Sequence, residues 1–412
     1  MKGICIGIIC GIFCKSLYAF ANWEVGTKGY IEFLHGVAQK QVEHSLADNI
    51  NLHGELSLTN GNHRFFTAID TGYYRYVPEQ WINIKEAYWM WMGDNADLTI
   101  GRQIIPWGKA DGITITDRLS PKSRYQLIDV DYQDSRLGVD GVKLRYLNDQ
   151  STSEFIWIPL PRFDALPYDP NNPLSKVYHP QQIILHGKNV DLIYPTAHKP
   201  NKLKDSEWAL RQSFYTSFMD LSFSFFRGWD RELVRTPEIS FHNIMVMQPQ
   251  SHRITQYGAD LAFPEGDRVW RGEVAYLPNR LFIDKKGKAT EYKQWLALLG
   301  VDWQFDSATM TAQYVTDKVN KANTLVRDKY QSMLTINIDK NFLRDKLILS
   351  TGAYFDLNRS SSALMFKIDY AFSDNLNISS GLNHFESGGQ SNSTFAPMQP
   401  FSSIWGKIRY SF

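Results

Sequence analysis

The chain has 412 residues with 44 Lys plus Arg against 43 Asp plus Glu, and the resulting net charge of +1 leaves no basic footprint for nucleic acid. Mean hydropathy is −0.34, and beyond the first residues no apolar run reaches the roughly 20 that a spanning helix needs, which excludes a helical membrane protein. The length would allow two or three soluble domains, yet no Pro/Gly/Ser-rich linker, charge run or low-complexity tract divides it, so one large domain is the simpler reading.

Met1-Lys2, the apolar run Gly3 to Phe13, Lys15-Ser16 and then Ala19-Phe20-Ala21 form a charged start, a short apolar core and an A-x-A cleavage site. Residues 1–21 are therefore expected to be a cleaved signal peptide, with a mature domain over 22–412. Cys5, Cys10 and Cys14 all fall in the removed part, which leaves no thiol for disulfides, metal or nucleophilic chemistry. Ile9 and Phe13, ahead of Cys10 and Cys14, are too large for a lipidation site.

Downstream, period-two alternation recurs. Leu221, Phe223 and Phe225 alternate with Asp220, Ser222 and Ser224, and Tyr257, Ala259, Leu261 and Phe263 alternate with Gly258, Asp260 and Ala262. Met310 to Tyr314 and Phe366 to Phe372 repeat the pattern. Each segment has one greasy and one wetter face, as a strand between lipid and a watery lumen requires. The joints have turn chemistry at 60–62, 93–95, 148–150, 264–267, 305–307 and 373–375. Between them fall longer joints at roughly 39–49, 106–135, 161–205, 228–250, 278–291, 316–328 and 386–400. Short turns alternating with long loops predict a single antiparallel transmembrane β-barrel of about 18 strands, with roughly 16 as the alternative, and both termini at the periplasmic end. Near Glu207 to Phe214 and near Ile239 to Met247 the pattern leaves open whether a hairpin is gained or lost.

The closing run Ile404 to Phe412 alternates again and ends on an aromatic, with Tyr410 two residues before Phe412. This ending resembles the signal by which Gram-negative bacteria assemble outer-membrane barrels. The stretch Gly101 to Gly112, continuing through Asp117-Arg118-Leu119-Ser120-Pro121, together with Tyr257-Gly258-Ala259-Asp260 and Arg271 to Tyr276, resembles porin-like barrels of the large alginate-export type. The resemblance implies a passive channel in the cell outer membrane without a defined substrate. Its partners would be outer-membrane lipid and lipopolysaccharide, the barrel-assembly machinery and small hydrophilic solutes.

On parity, the wet faces carry Lys143, Arg145, Arg211, Asp220, Asp260, Arg271, Glu273, Asp302, Lys367, Asp369, Lys407 and Arg409. Asp220, Asp260, Glu273 and Asp302 on central strands, against basic residues near the C-terminus, would set a transverse field across the lumen. The long joint from Pro106 to Ser135 carries both signs, Lys109, Asp111, Asp117 and Arg118 among them, and with Arg102 at its root it is the expected constriction. The ten histidines show no ligand or catalytic spacing, so no metal, cofactor or enzyme activity is expected. His53 with Glu55 and Ser57 on one strand face is the nearest approach to a hydrolase set. A diffusion porin is the first functional expectation. The alternative is a barrel component of an export or multi-protein conduit that passes a polymer or encloses a partner.

Overall fold

The computed structural model describes residues 22–40, 45–76, 82–110, 112–129, 135–185, 187–239, 243–320, 324–325 and 327–412. The proposed signal peptide, Asp111 and residues 130–134 lie outside them. Alternating residues need one apolar and one wet side, and the backbone needs every donor and acceptor paired inside a membrane; a closed sheet meets both demands.

The wall begins with β1 (Glu24–Ala38), β2 (Ser45–Asn60), β3 (His63–Tyr74), β4 (Ile82–Met92), β5 (Ala96–Gln103), β6 (Val139–Asn148) and β7 (Ser151–Ile158). It continues through β10 (Glu207–Tyr215), β11 (Asp220–Trp229), β14 (Arg253–Glu265), β15 (Arg268–Ile283), β16 (Ala289–Phe305) and β17 (Ala308–Val319). The last members are β18 (Tyr330–Phe342), β19 (Leu347–Asp356), β20 (Ser362–Ala371), β21 (Leu376–Glu386) and β22 (Ser403–Ser411). This is one 18-stranded sheet, so the larger of the two expected counts holds. β1 pairs antiparallel with both β2 and β22, which closes it.

Turns of two to four residues mark one end and the longer connections the other. At Gly61 and Gly266 the backbone takes φ of 52° and 58°, as two-residue hairpins demand. Two turns, 216–219 and 343–346, lack an obvious sequence signal and fall outside the expected joints, as do the connections 75–81 and 357–361. The doubtful segment near Glu207 is wall strand β10. The doubtful segment near Met247 belongs instead to a small four-stranded sheet outside the wall, built from β8 (Gln182–Leu185), β9 (Lys188–Ile193), β12 (Val234–Ile239) and β13 (Ile244–Gln250). The expected long joint at 278–291 shrinks to 284–288, because a register shift between Leu277 and Arg280 lets β15 continue to Ile283.

Outward positions hold Phe33, Ile100, Leu144, Phe223, Leu299 and Ile408, all exposed in the isolated chain as lipid-facing residues would be. The core lies inside: Ile105, Trp107, Ile115 and Leu119 pack against Ile156, Ala209, Phe226, Ile254, Ala275 and Leu298 of the wall. A packed apolar core in a barrel lumen means that something other than wall is in there.

Candidate functional site

That something is the connection from β5 to β6, residues 104–138. It starts where the Ile104 amide donates to Glu86 Oε1 at 2.8 Å, then turns across the lumen. The Trp107 indole donates to Glu154 Oε1 of β7 at 2.6 Å, and the Arg211 guanidinium of β10 lies 5.9 Å over the Trp107 ring. Next comes Gly108, at φ 97°, where an added Cβ would sit 2.5 Å from Glu273 Oε1. Only glycine lets the chain lie down on that carboxylate.

Glu273 of β15 is the dock. Its Oε1 accepts from the amides of Lys109 at 2.8 Å and Ala110 at 2.9 Å. Its Oε2 accepts from the amides of Ile115 at 2.9 Å and Thr116 at 3.1 Å and from the Thr116 hydroxyl at 3.0 Å. Beside it Lys109 Nζ reaches Asp220 of β11 at 3.0 Å, and Arg271 donates to the Lys109 carbonyl. Gln256 of β14 donates to the Thr116 carbonyl at 3.0 Å and accepts from Arg118 at 3.1 Å.

The chain then rises toward the long connections. Arg124 pairs with Asp164 at 3.3 Å and Glu232 at 3.1 Å. It descends on the far side, where Gln126 accepts from Asn49 of β2 at 2.6 Å and Ile128 packs among Leu34, Ala47 and Trp405. Asp129 pairs there with Lys407 of β22 and, at 3.5 Å, with Lys367 of β20. One connection thus grips the polar faces of β7, β10, β11, β14 and β15 and also those of β1, β2, β20 and β22, which is geometrically feasible only through the inside of the barrel.

The expected charge separation is present in the wall, but it is cancelled pair by pair. Asp260 takes Arg211 at 2.9 Å, Asp302 takes Arg271 at 2.5 Å, Arg145 takes Asp97 at 2.6 Å, Lys367 takes Asp369 at 3.1 Å, and Arg409 takes Glu32 at 2.5 Å. The connection supplies the rest: its basic end sits on the acidic wall and its acidic end on the basic wall. Lys143 also faces inward, opposite Thr99 and Ile156, with no carboxylate at ion-pair distance among the described residues.

Three expected site residues are placed differently. Arg102 shares its phase with Leu98 and Ile100, so it points outward at the rim, paired with Asp140 at 2.9 Å, and does not line the lumen. Asp117 is enclosed in the connection, paired at 2.9 Å with Arg136, so it meets no passing ion; burial pushes its carboxyl up while Arg136 opposes that. Arg118 is half-buried against Gln256, and burial and nearby Arg280 push its guanidinium down. The remaining wall candidates, on β6, β11, β14, β15, β16, β20 and β22, all face inward by register.

Arg231 carries no recognisable signal in the sequence. Its guanidinium donates to both oxygens of Glu207 at 3.0 Å and to the carbonyls of Arg118 and Leu119 at 2.8 Å and of Arg162 at 2.9 Å. Nor is the His53 set a triad. Asp70 holds Nδ1 at 2.7 Å and Glu55 holds Nε2 at 3.2 Å, while the Ser57 hydroxyl accepts from Arg64 at 3.1 Å.

No protein-family model and no curated protein matches the sequence. Solved structures do match the fold. Pseudomonas aeruginosa OccD3 (OpdP) aligns with a TM-score of 0.56 and 9% identity over 94% of this chain and 90% of that one. P. aeruginosa OccK1 (OpdK) gives 0.55 and 9% over 94% and 98%. A BenF-like porin from Pseudomonas fluorescens Pf-5 gives 0.53 and 7% over 94% and 98%. The chain therefore has the fold of the porin-like barrels.

Proposed function

We propose that this chain is an outer-membrane diffusion channel for small hydrophilic solutes, and that connection 104–138 sets its bore. The observation that carries the reading is the docking of that connection on opposite walls, through Glu273 on one side and Lys407 on the other. An 18-stranded wall without an internal obstruction would leave a wide aqueous hole, since barrel diameter grows with strand number. A charged segment across it narrows the passage and sets what crosses. One of the similar barrels, OpdK, has been solved with vanillate, which is in keeping with small polar solutes.

Several finer points belong to the same reading. Residues 1–21 are taken as the export signal, Tyr410 and Phe412 as the feature presented to the barrel-assembly machinery, and the 101–121 block as the basis of kinship with alginate-export-type barrels. The conduit alternative is less favoured, because a polymer or enclosed protein would first have to displace a segment held on two walls.

Planar-bilayer recording on the refolded mature chain tests the proposal. Open conductance is expected, and deleting residues 109–133 with the strands kept should raise single-channel conductance and weaken ion selectivity. A parent that stays sealed, or an assembled deletion variant that conducts like the parent, would reject it.

A further inference from the structure

On the outer face of β11 and β14–β17, three layers are stacked from the turn end toward the long connections. Lowest is a groove of about 210 Å³ bordered by Leu221, Leu261, Leu299 and Tyr314. It exists because outward positions between these larger side chains are small: Ala259 stands opposite Val274, Gly272 opposite Leu261, and Ala297 opposite Val274. Above it, Phe225, Tyr257, Tyr276 and Trp295 are in-register partners on successive strands. Their ring centroids are 5.3, 6.3 and 4.4 Å apart.

Phe263, Trp270, Trp303 and Phe305 form a matching group at the turn end, so the groove falls within the apolar band between two aromatic girdles. Just beyond the upper girdle, at headgroup level, stand Arg227, Arg253, Lys293 and Lys318. Their partners are neutral: Arg227 donates to the Thr255 hydroxyl at 2.6 Å, Arg253 donates to the Ser206 carbonyl at 2.5 Å and lies over Trp229, and Lys318 lies over Tyr330. None of the four forms an ion pair among the described residues. Glu291, two residues from Lys293 on β16, is 3.7 Å from His252. Beside Trp229 an open cleft of about 470 Å³ adds Lys199, Lys202 and Lys204, with Asp205 as its acid.

We propose that this arc binds a phosphorylated glycolipid of the outer leaflet, with an acyl chain in the groove, the aromatic row at the hydrocarbon boundary and the phosphates on Arg227, Arg253, Lys293 and Lys318. An acyl chain alone would explain the groove but not the unbalanced basic row above it. A second copy related by a two-fold axis along the membrane normal would bring its own basic row up against this one, a like-charge encounter. Anionic headgroups match the charge, and they lie at the level where the row sits.

Native mass spectrometry of the refolded barrel tests this, with bisphosphorylated lipid A, its dephosphorylated form, phosphatidylethanolamine and inorganic phosphate as probes. Lipid A should bind at least tenfold more tightly than the other three. The combined Arg227→Gln, Arg253→Gln, Lys293→Gln and Lys318→Gln variant should lose that preference. Ala297→Phe, which fills the groove, should weaken both forms of lipid A severalfold. Equal binding of all probes by the parent overturns the proposal, as does lipid A binding that neither variant changes. So does a parent oligomer that Ala297→Phe dissociates, since the face would then be occupied by another copy.

Discussion

Arg231 is where three connections meet: it holds the carbonyls of Arg118 and Leu119 in one, Arg162 in another and sits itself in a third, all over the buried Glu207 carboxylate. Replacing it with Met removes these bonds and leaves Glu207 enclosed without its partner, a loss of about 3–5 kcal/mol. Faster proteolysis of residues 159–206, with the wall still intact by circular dichroism, is the expected result. His179 offers a pH-dependent test in the same region. Its buried ring lies between Tyr168 and Tyr194, and burial, together with nearby Arg235, pushes it down to about 4 from 6.5. The folded connection therefore keeps His179 neutral where an unfolded one would take up a proton. Stability should fall as pH drops from 6.5 toward 4, by at most roughly 3 kcal/mol. His179→Phe should flatten that dependence in a protease-sensitivity profile across the window. Neither residue was legible in the sequence, because partners up to 113 positions apart, as Arg231 and Arg118 are, leave no local pattern. Inward-facing wall charges such as Asp260 and Lys407 were legible from alternation alone. Arg102 could have been placed by the same rule, since its phase with Leu98 and Ile100 is visible in the sequence, but reading it as part of a block obscured its face.

Elements were readable to the extent that their ends carry turn chemistry. The turn at 343–346 shows the limit. Leu343, Arg344 and Asp345 all adopt left-handed backbone, with φ of 53°, 56° and 65°, and none is glycine or asparagine. Each such residue costs about 1–2 kcal/mol, so the pairing of β18 with β19 enforces a turn that local preference opposes. Arg344→Gly should relieve part of this and stabilise the barrel by about 1 kcal/mol, read as a higher denaturant midpoint for unfolding in detergent. The β5–β6 connection was legible as long and doubly charged, and its attachment through Glu273 was not. Glu273→Gln would turn an amide N–H₂ toward donors it now accepts from. The connection should loosen by roughly 2 kcal/mol, and channel current should fluctuate more while the mean conductance stays above that of the parent. A quiet trace at the parent's conductance would show that other contacts suffice to hold it.

At the scale of the whole molecule, closure depends on the last strand. The Phe412 amide donates to the Gly29 carbonyl at 2.9 Å and its carbonyl accepts from Gly29 at 3.0 Å, while β22 runs in register with both β21 and β1. A charge at 412 would sit on the lipid-facing side of the seam. Phe412→Asp should lower outer-membrane levels several-fold, whereas a similar change at exposed Ile184, in a long connection, should leave them unchanged; equal levels for the two would remove any special role for the terminus.

The two-walled docking of the 104–138 connection also fixes an order of events. Its anchors arrive late in the chain: Glu273 from β15, Lys367 from β20 and Lys407 from β22. A strand made early thus carries a segment whose resting place does not exist until the sheet has come round to meet itself, and closing so long a chain interval gains nothing until both ends are present. The bore is consequently at its widest in the unfinished barrel, and its narrowing coincides with completion. A chain stalled before β22 would be leaky as well as incomplete, so membrane permeability to large polar dyes would report how far its assembly has gone.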